Sequence, residues 1–152
     1  MLKKFLLVAT LAANVLANPL PTNENTIITR RDDKVGSEDL CAHKPDSMRS
    51  QWYVFATKES MPINQRCGAG YLDNLRGECG WVIDWGCKFV DENAKKVEEK
   101  EKNEDQIKGA IMTFVTAGTC SGSHIKRAMK VASAAEKGPD DCINPPDWIV
   151  PN

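Results

Sequence analysis

The sequence lacks the motifs around which most enzymes are built. It contains no Gly-x-Ser-x-Gly elbow, no His-Glu-x-x-His zinc motif and no glycine-rich phosphate or dinucleotide loop. Histidine is scarce as well: His43 lies in a polar stretch and His124 falls in the first turn of a predicted helix, so both are expected at the surface. We therefore predict no catalytic residue, no cofactor and no metal site, and we expect the chain not to be an enzyme.

Basic residues are too few to favour a nucleic-acid partner. The full chain carries 20 Lys and Arg residues against 21 Asp and Glu residues. Removal of residues 1–31, which is argued below, takes away four basic residues and one acidic residue, and leaves 16 basic and 20 acidic residues with a net charge of −4. Because a nucleic-acid-binding domain usually presents a basic surface, no nucleic acid is expected as a partner.

Long apolar runs are missing except at the amino terminus. There, two lysines precede an apolar run from Phe5 to Leu16, which is too short to span a membrane because a spanning helix needs about 20 apolar residues. A charged start, a short apolar run and a small residue at Ala17 are typical of a signal peptide, here with a Val-x-Ala cleavage site. We predict a signal peptide over residues 1–17, a secreted product and no transmembrane segment.

Residues 18–31 have the composition of a propeptide. They contain two prolines and several asparagines, and they offer too little apolar surface to offset the entropy lost on ordering. The segment ends at the dibasic pair Arg30-Arg31, which a furin-like or yeast-type processing protease recognises in an exposed, flexible stretch. We predict removal of residues 18–31 after Arg31. The alternative is an amino-terminal arm that happens to carry two arginines.

Cysteines with the close Cys-x-x-Cys spacing of zinc sites are absent. Six cysteines are present, and all of them follow the predicted propeptide: Cys41, Cys67, Cys79, Cys87, Cys120 and Cys142. An even number of cysteines in a chain bound for an oxidising compartment predicts three disulfides. Residues 32–152 suffice for a single domain with a modest core, which disulfides would stabilise.

Apolar periodicity predicts six elements in the order strand, helix, strand, strand, helix, strand. Asn64 is available to cap the first helix, and Ser121 or Ser123 to cap the second, which Gly138-Pro139 stops. The strands are expected at 51–57, 81–90, 109–119 and 148–150, and the first helix at 64–78. This order predicts an α+β fold: a ferredoxin-like βαββαβ sandwich, with a four-stranded antiparallel sheet in the order 4-1-3-2 and both helices on one face.

Two stretches of this frame carry further expectations. From Trp81 to Val90 the residues alternate cleanly, so Trp81 and Trp85 are expected on one buried face, although stacking on sugar rings is the alternative. Residues 91–108 carry seven acidic and five basic residues. We expect this segment to be a solvated loop or hairpin tip that cannot join the core, with a projecting recognition finger as the alternative.

The same frame bears on the disulfide pairs. It places Cys41, Cys79 and Cys120 near one end of the sheet, and the other three cysteines near the opposite end. Three cysteines at each end cannot all pair locally, and fifteen pairings are possible. Among them the frame favours Cys67 with Cys87, Cys79 with Cys120, and Cys41 with Cys142 as a clasp of the two termini.

The segment from Cys67 to Gly80 (CGAGYLDNLRGECG), with Trp85-Gly86-Cys87 following, resembles secreted fungal proteins. The signal peptide, the dibasic pair, the six cysteines and the order of elements resemble the small secreted effectors of plant-associated fungi, particularly those with the killer-toxin alpha-subunit fold of virus-encoded smut killer proteins. The resemblance is one of architecture and covers Cys41 to Val150. It implies dibasic processing, disulfides and action on a host or competing cell, and it implies no cofactor and no catalytic set.

The leading expectation is a virulence-associated effector that binds a host protein or cell-surface component, either in the host apoplast or after uptake into host cells. The first alternative is a killer or antimicrobial toxin that acts on the membrane or wall of competing cells, although a net charge of −4 disfavours anionic bilayers. The second alternative is a small secreted hydrolase or ribonuclease, which should lose turnover when His124 is substituted.

Overall fold

A computed structural model describes residues 34–46, 48–61, 64–98 and 103–150. The predicted signal peptide and propeptide, with their processing positions Ala17, Arg30 and Arg31, lie outside these residues and stay predictions. Within the described residues, no helix is long and apolar enough to cross a membrane.

Five strands and two helices make up the described part of the chain. The strands are β1 (Leu40–Pro45), β2 (Arg49–Thr57), β3 (Val82–Val90), β4 (Gly109–Ala117) and β5 (Cys142–Ile143). The helices are α1 (Tyr71–Cys79) and α2 (Gly122–Ala132), and a 3₁₀ turn spans Glu104–Gln106. The strands form one sheet in the order β3-β4-β2-β1-β5. All neighbouring pairs are antiparallel except β1 and β5, which are parallel.

The predicted α+β class, the two helices and the three disulfides are confirmed, and β3, β4 and β2 lie in the predicted order. The ferredoxin-like sheet of four antiparallel strands is wrong in its fourth strand. The strand that pairs with β2 on this side is β1 and not residues 148–150. The β1 sequence, LCAHKP, is partly polar and ends in proline, so it is not typical of a strand. Residues 148–150 form a turn, in which the N–H of Ile149 donates to the Pro146 carbonyl and not to a neighbouring strand.

One face of the sheet packs against both helices, as predicted. Trp52 of β2 and Phe114 of β4 belong to a buried cluster that also contains the inward-facing residues of the helices: Tyr71, Leu75, Ile125, Ala128 and Met129. The indole of Trp52 donates its Nε1–H to the Thr116 hydroxyl at 2.8 Å, so its polar atom is satisfied inside this core.

The opposite face is covered over only part of its length. Phe55 and Ile111 are buried there under the carboxyl-terminal segment, in which Ile149 is 1% exposed. The ring of Trp148 meets that of Phe55 edge-on at 5.6 Å, and Val35 packs against the same cluster. Residues 147–150 therefore cover this face of the sheet and do not form a strand of it.

Helix α1 begins at Tyr71 and not near Asn64. Gly68 and Gly70 have φ values of +74° and +80°, a left-handed backbone that an α-helix cannot contain. Gly68 also lies against Trp85, since a Cβ on this glycine would be 2.6 Å from the indole Cζ2. The two glycines therefore form the turn that leads into α1.

The three disulfides are Cys41–Cys142, Cys67–Cys87 and Cys79–Cys120, which are the predicted pairs. Cys41 and Cys142 are direct neighbours across β1 and β5, with Cα atoms 4.5 Å apart. The frame that placed these two cysteines at opposite ends of the sheet was wrong, because it lacked β1. The other bridges tie the loop before α1 to β3, and the end of α1 to the turn before α2.

The charged segment 91–108 is anchored in the core, which corrects the expectation that it cannot join it. Ile107 is 1% exposed and belongs to the cluster under the helices, against which Val97 also packs. The backbone N–H of Val97 donates to the Phe89 carbonyl at 2.9 Å. Most of its described charged side chains, Lys95 among them, are exposed.

Candidate functional site

A β-bulge in β3 decides which side of the sheet its tryptophans occupy. Ile83 pairs with Val115 and Gly86 with Thr113, so β3 carries one residue more than β4 between these pairs. The bulge contains Asp84, whose φ is +50°. One extra residue reverses the side of every preceding side chain, because side chains alternate along a strand.

Trp85 consequently faces the helices, whereas Trp81 and Ile83 face the other side. The expectation of core packing is right for Trp85, which packs on the helix-side cluster with its ring 5.8 Å from that of Phe114. The expectation is wrong for Trp81, which is 46% exposed. Gly86 was the available signal, since a glycine inside a strand often marks a bulge.

The register assembles the uncovered part of this face from four strands. In one row across the sheet, Lys44, Gln51, Val115 and Ile83 stand side by side. We call the uncovered part the open face, and it consists of Lys44, Arg49, Gln51, Trp81, Ile83, Thr113 and Val115. Its apolar members, Trp81, Ile83 and Val115, belong to neither buried cluster. Water therefore contacts an aromatic ring and two aliphatic side chains on a rigid sheet.

Basic residues outnumber acidic residues on this side of the sheet. Alternation along β1 to β4 brings Lys44, Arg49 and Lys88 to the helix-free face, and it brings no acidic residue to any strand position there. The acidic residues nearest to these cations are Asp46, which stands opposite Arg49 at the end of the β1–β2 hairpin, and Asp84 in the bulge of β3. The face is thus cationic, in a product whose net charge after the predicted processing is −4.

Both cations of the open face lie over aromatic rings. The guanidinium of Arg49 is 5.8 Å from the ring centre of Trp81, and Lys44 Nζ is 5.7 Å from that of Tyr53. Such contacts contribute about 0.5–1 kcal/mol at exposed sites and leave the cation accessible. The ion pairs found among the described residues are elsewhere: Lys96–Glu98, Lys126–Asp141 and Arg127–Glu78.

Hydrogen bonds hold the backbone beneath the open face. The N–H of Asp46 donates to the Arg49 carbonyl at 2.9 Å, and the N–H of Gly118 donates to the Met48 carbonyl at 3.0 Å. The side-chain amide of Gln51 donates to the Phe114 carbonyl at 3.2 Å. A partner would therefore meet a preformed surface, with little ordering entropy to lose on this side.

A second group of polar residues meets where α1 ends and α2 begins. Nδ1 of His124 accepts the backbone N–H of Ser121 at 3.1 Å and lies 2.7 Å from the Ser121 hydroxyl, which forms a capping box at the start of α2. Arg127 donates two hydrogen bonds to Oε2 of Glu78, at 3.0 and 2.7 Å. These bonds, with the nearby charges of Arg127 and His124, lower the pKa of Glu78.

This group contains the histidine, glutamate and arginine that a small ribonuclease requires, but they lie on helices and each is engaged. His124 lies in the first turn of α2, as predicted, and its Nδ1 caps that helix. Arg127 and Glu78 neutralise each other and join the two helices. These contacts cap α2 and join it to α1, so they account for the three side chains structurally.

His43, expected at the surface, is half-buried. Its ring stacks on Trp52 with the centres 4.8 Å apart, and its Nδ1 is buried with no hydrogen-bond partner among the described residues. His43 therefore packs against the helix-side core, on the face opposite the open face.

A polar cleft of about 570 Å³ lies between α2 and the segment that precedes β1. Its lining mixes carboxylates with lysines, including Asp39, Glu136 and Lys130, so it favours no single class of ligand. Asp39 accepts the backbone N–H of Thr57 at 2.8 Å. Across the described part of the chain, no group of three or more His, Cys, Asp or Glu side chains is placed to hold a metal ion.

Comparison with known proteins finds no matching family model, no matching curated protein and no matching solved structure. The resemblance to the killer-toxin alpha-subunit fold accordingly stays a prediction. Function is to be inferred from the open face and from the chemistry of its residues.

Proposed function

We propose that this chain is a secreted, effector-like protein, associated with virulence, that acts by binding a host protein through the open face and not by catalysis. One observation carries the proposal: Trp81 is 46% exposed beside Ile83 and Val115, outside both cores. Contiguous apolar surface on a small protein is typical of an interaction site. Tryptophan and arginine, here Trp81 and Arg49, are also the residues most enriched among binding hot spots.

The covalent framework supports a role outside the producing cell. Three disulfides join distant parts of residues 34–150, and such bridges form and persist in oxidising compartments. They also add stability to a small core, so that part of a sheet face can stay uncovered.

A toxin that acts on the envelope of competing cells is the second candidate. A cationic face that carries a tryptophan, here Lys44, Arg49 and Trp81, also suits anionic lipids or wall polymers. Against this candidate, the net charge of −4 opposes the approach of the whole protein to an anionic surface.

The test compares the secreted wild-type protein with Trp81→Ala and Val131→Ala. Val131 is 72% exposed on α2, away from the open face, so its truncation controls for the loss of an exposed apolar side chain. Each protein is immobilised, incubated with plant extract, and the captured proteins are quantified by mass spectrometry. We expect Trp81→Ala to lower capture of the specific partner by about tenfold or more, as removal of a hot-spot tryptophan does, and Val131→Ala to leave it unchanged.

Thermal unfolding of all three proteins checks that the variants are folded. A partner captured equally by wild type and by Trp81→Ala would contradict the proposal. If the wild-type protein instead arrests competing yeast or releases dye from anionic vesicles, and Trp81→Ala does not, the toxin replaces the effector as the assigned function.

A further inference from the structure

We propose that the partner segment that occupies the open face is an acidic, extended polypeptide, an inference that rests on the proposed function. This segment has two carboxylates at residues i and i+2 and an apolar residue about four positions after the second carboxylate. Lys44 and Arg49 lie on the open face and Lys88 farther along the same side of the sheet, whereas the acidic residues beside them are Asp46 at the hairpin end and Asp84 in the bulge. This basic excess contrasts with the net charge of −4 that the chain has after the predicted processing. Charge complementarity therefore selects an anionic occupant.

The strand register sets the spacing of the two carboxylates. Lys44 lies opposite Gln51, and Arg49 stands two residues from Gln51 on the same strand, so Lys44 and Arg49 are diagonal neighbours. Such neighbours are about 7 Å apart. Residues i and i+2 of an extended chain point to the same side and are separated by nearly the same distance, about 6.6 Å.

The apolar end of the occupant follows from the same row. Gln51, Val115 and Ile83 succeed Lys44 across neighbouring strands, so Ile83 stands three strands from Lys44. Arg49, one strand nearer and two residues along, is about 12 Å from Ile83 at about 4.8 Å per strand and about 3.3 Å per residue, a distance that about four residues of an extended chain span. A segment that crosses the strands can therefore place carboxylates on the cations and an aliphatic or aromatic side chain on Ile83 and Val115.

Two other modes of binding fit the surface less well. Strand addition at the free edge of β3 meets the bulge at Asp84 and the Cys67–Cys87 bridge, and at Phe89 the edge already accepts the N–H of Val97. A polysaccharide would stack on the indole, but the guanidinium of Arg49 lies over the Trp81 ring. The open face is thus better suited to side chains than to sugar rings.

The test selects twelve-residue peptides from a random displayed library against the secreted, processed protein. The enriched peptides should carry the acidic pair and the apolar residue at the stated spacing. A synthetic twelve-residue peptide with aspartates at its fourth and sixth positions and a leucine at its tenth is then compared with its asparagine counterpart by fluorescence anisotropy. We expect the aspartate peptide to bind at least tenfold more tightly, and Arg49→Glu or Lys44→Glu to remove that preference.

Lys95→Glu is the matched control, because Lys95 is an exposed lysine on the charged segment, outside the open face. It changes the net charge equally and should alter affinity less than twofold. Oligogalacturonide, as an acidic polysaccharide, and anionic phospholipid vesicles are tested in parallel.

Enrichment of neutral or basic peptides, or equal binding of the asparagine peptide, overturns this inference. Tighter, Arg49-dependent binding of oligogalacturonide or vesicles than of the selected peptides overturns it as well. These results are distinct from failure of the proposed function: capture from extract that depends on Trp81, together with non-acidic peptides, removes the acidic segment and keeps the docking face. Capture that is indifferent to Trp81 removes the docking face itself.

Discussion

Replacement of both Cys41 and Cys142 by alanine should destabilise the fold more than replacement of Cys67 and Cys87. The two bridges span 101 and 20 residues of sequence. If a disulfide stabilises mainly by restricting the unfolded chain, a loop of about 100 residues contributes about 4.7 kcal/mol and one of about 20 residues about 3.3 kcal/mol. The longer bridge is also the clasp of β5, which meets β1 in only two residue pairs. We therefore expect the Cys41/Cys142 variant to lose at least about 1.4 kcal/mol more free energy of unfolding than the Cys67/Cys87 variant.

The assay is urea unfolding of the wild-type protein and the two double variants at pH 7, followed by tryptophan fluorescence. Each free energy of unfolding is extrapolated to zero denaturant. If the Cys41/Cys142 variant is partly unfolded without urea, its unfolded fraction reports the same free energy. Equal losses for the two variants, or a larger loss for Cys67/Cys87, would refute the reasoning from loop length and would mean that native contacts around each bridge decide its contribution.

Three further outcomes follow from single side chains. Gly68→Ala should destabilise by about 2–4 kcal/mol in the same urea assay, because a Cβ would meet the Trp85 ring at 2.6 Å on a left-handed backbone. Gly70→Ala, with an equally positive φ and nothing within 4 Å, should lose only about 1–2 kcal/mol, and equal losses would contradict the packing argument. Ile107→Ala should cost about 2–5 kcal/mol, since the side chain is 1% exposed, and a loss under about 0.5 kcal/mol would mean that the charged segment is not anchored. Burial, and then the charge of Asp39, raise the pKa of Tyr71 above its ordinary value near 10, so its stabilising effect is complete below pH 10 and is lost as the pH rises further. Tyr71→Phe should flatten the fall in the free energy of unfolding above pH 10, and an unchanged slope would show that another group causes it.

Local patterns in the sequence were sufficient for the middle of the fold. The strands at 81–90 and 109–119 and the first strand at 51–57 correspond to β3, β4 and β2, because each has a run of β-branched or aromatic residues bounded by turn residues. The disulfides Cys67–Cys87 and Cys79–Cys120 followed from that part of the frame.

The rest of the sheet depends on tertiary contacts that no local pattern reveals. β1 is a short, partly polar strand whose place is set by antiparallel pairing with β2, and β5 is two residues held beside β1 by Cys41–Cys142. Residues 148–150 are apolar and include an aromatic residue, as strands often do, yet Trp148 packs on Phe55 in a segment that covers the sheet. Burial of an apolar side chain there does not require a ladder.

The open face was missed for a different reason, which is a single extra residue in β3. Strict alternation puts Trp81, Ile83 and Trp85 together under the helices, and the one local signal against that arrangement is Gly86 inside the strand. The bulge at Asp84 divides them, so that Trp85 fills the core while Trp81 and Ile83 move to the side that carries Arg49. Trp81 is therefore exposed beside Arg49 because β3 has one residue more than β4 between their paired positions. A bulge that exposes apolar surface lowers stability, and the three disulfides are among the features of this fold that offset such a cost.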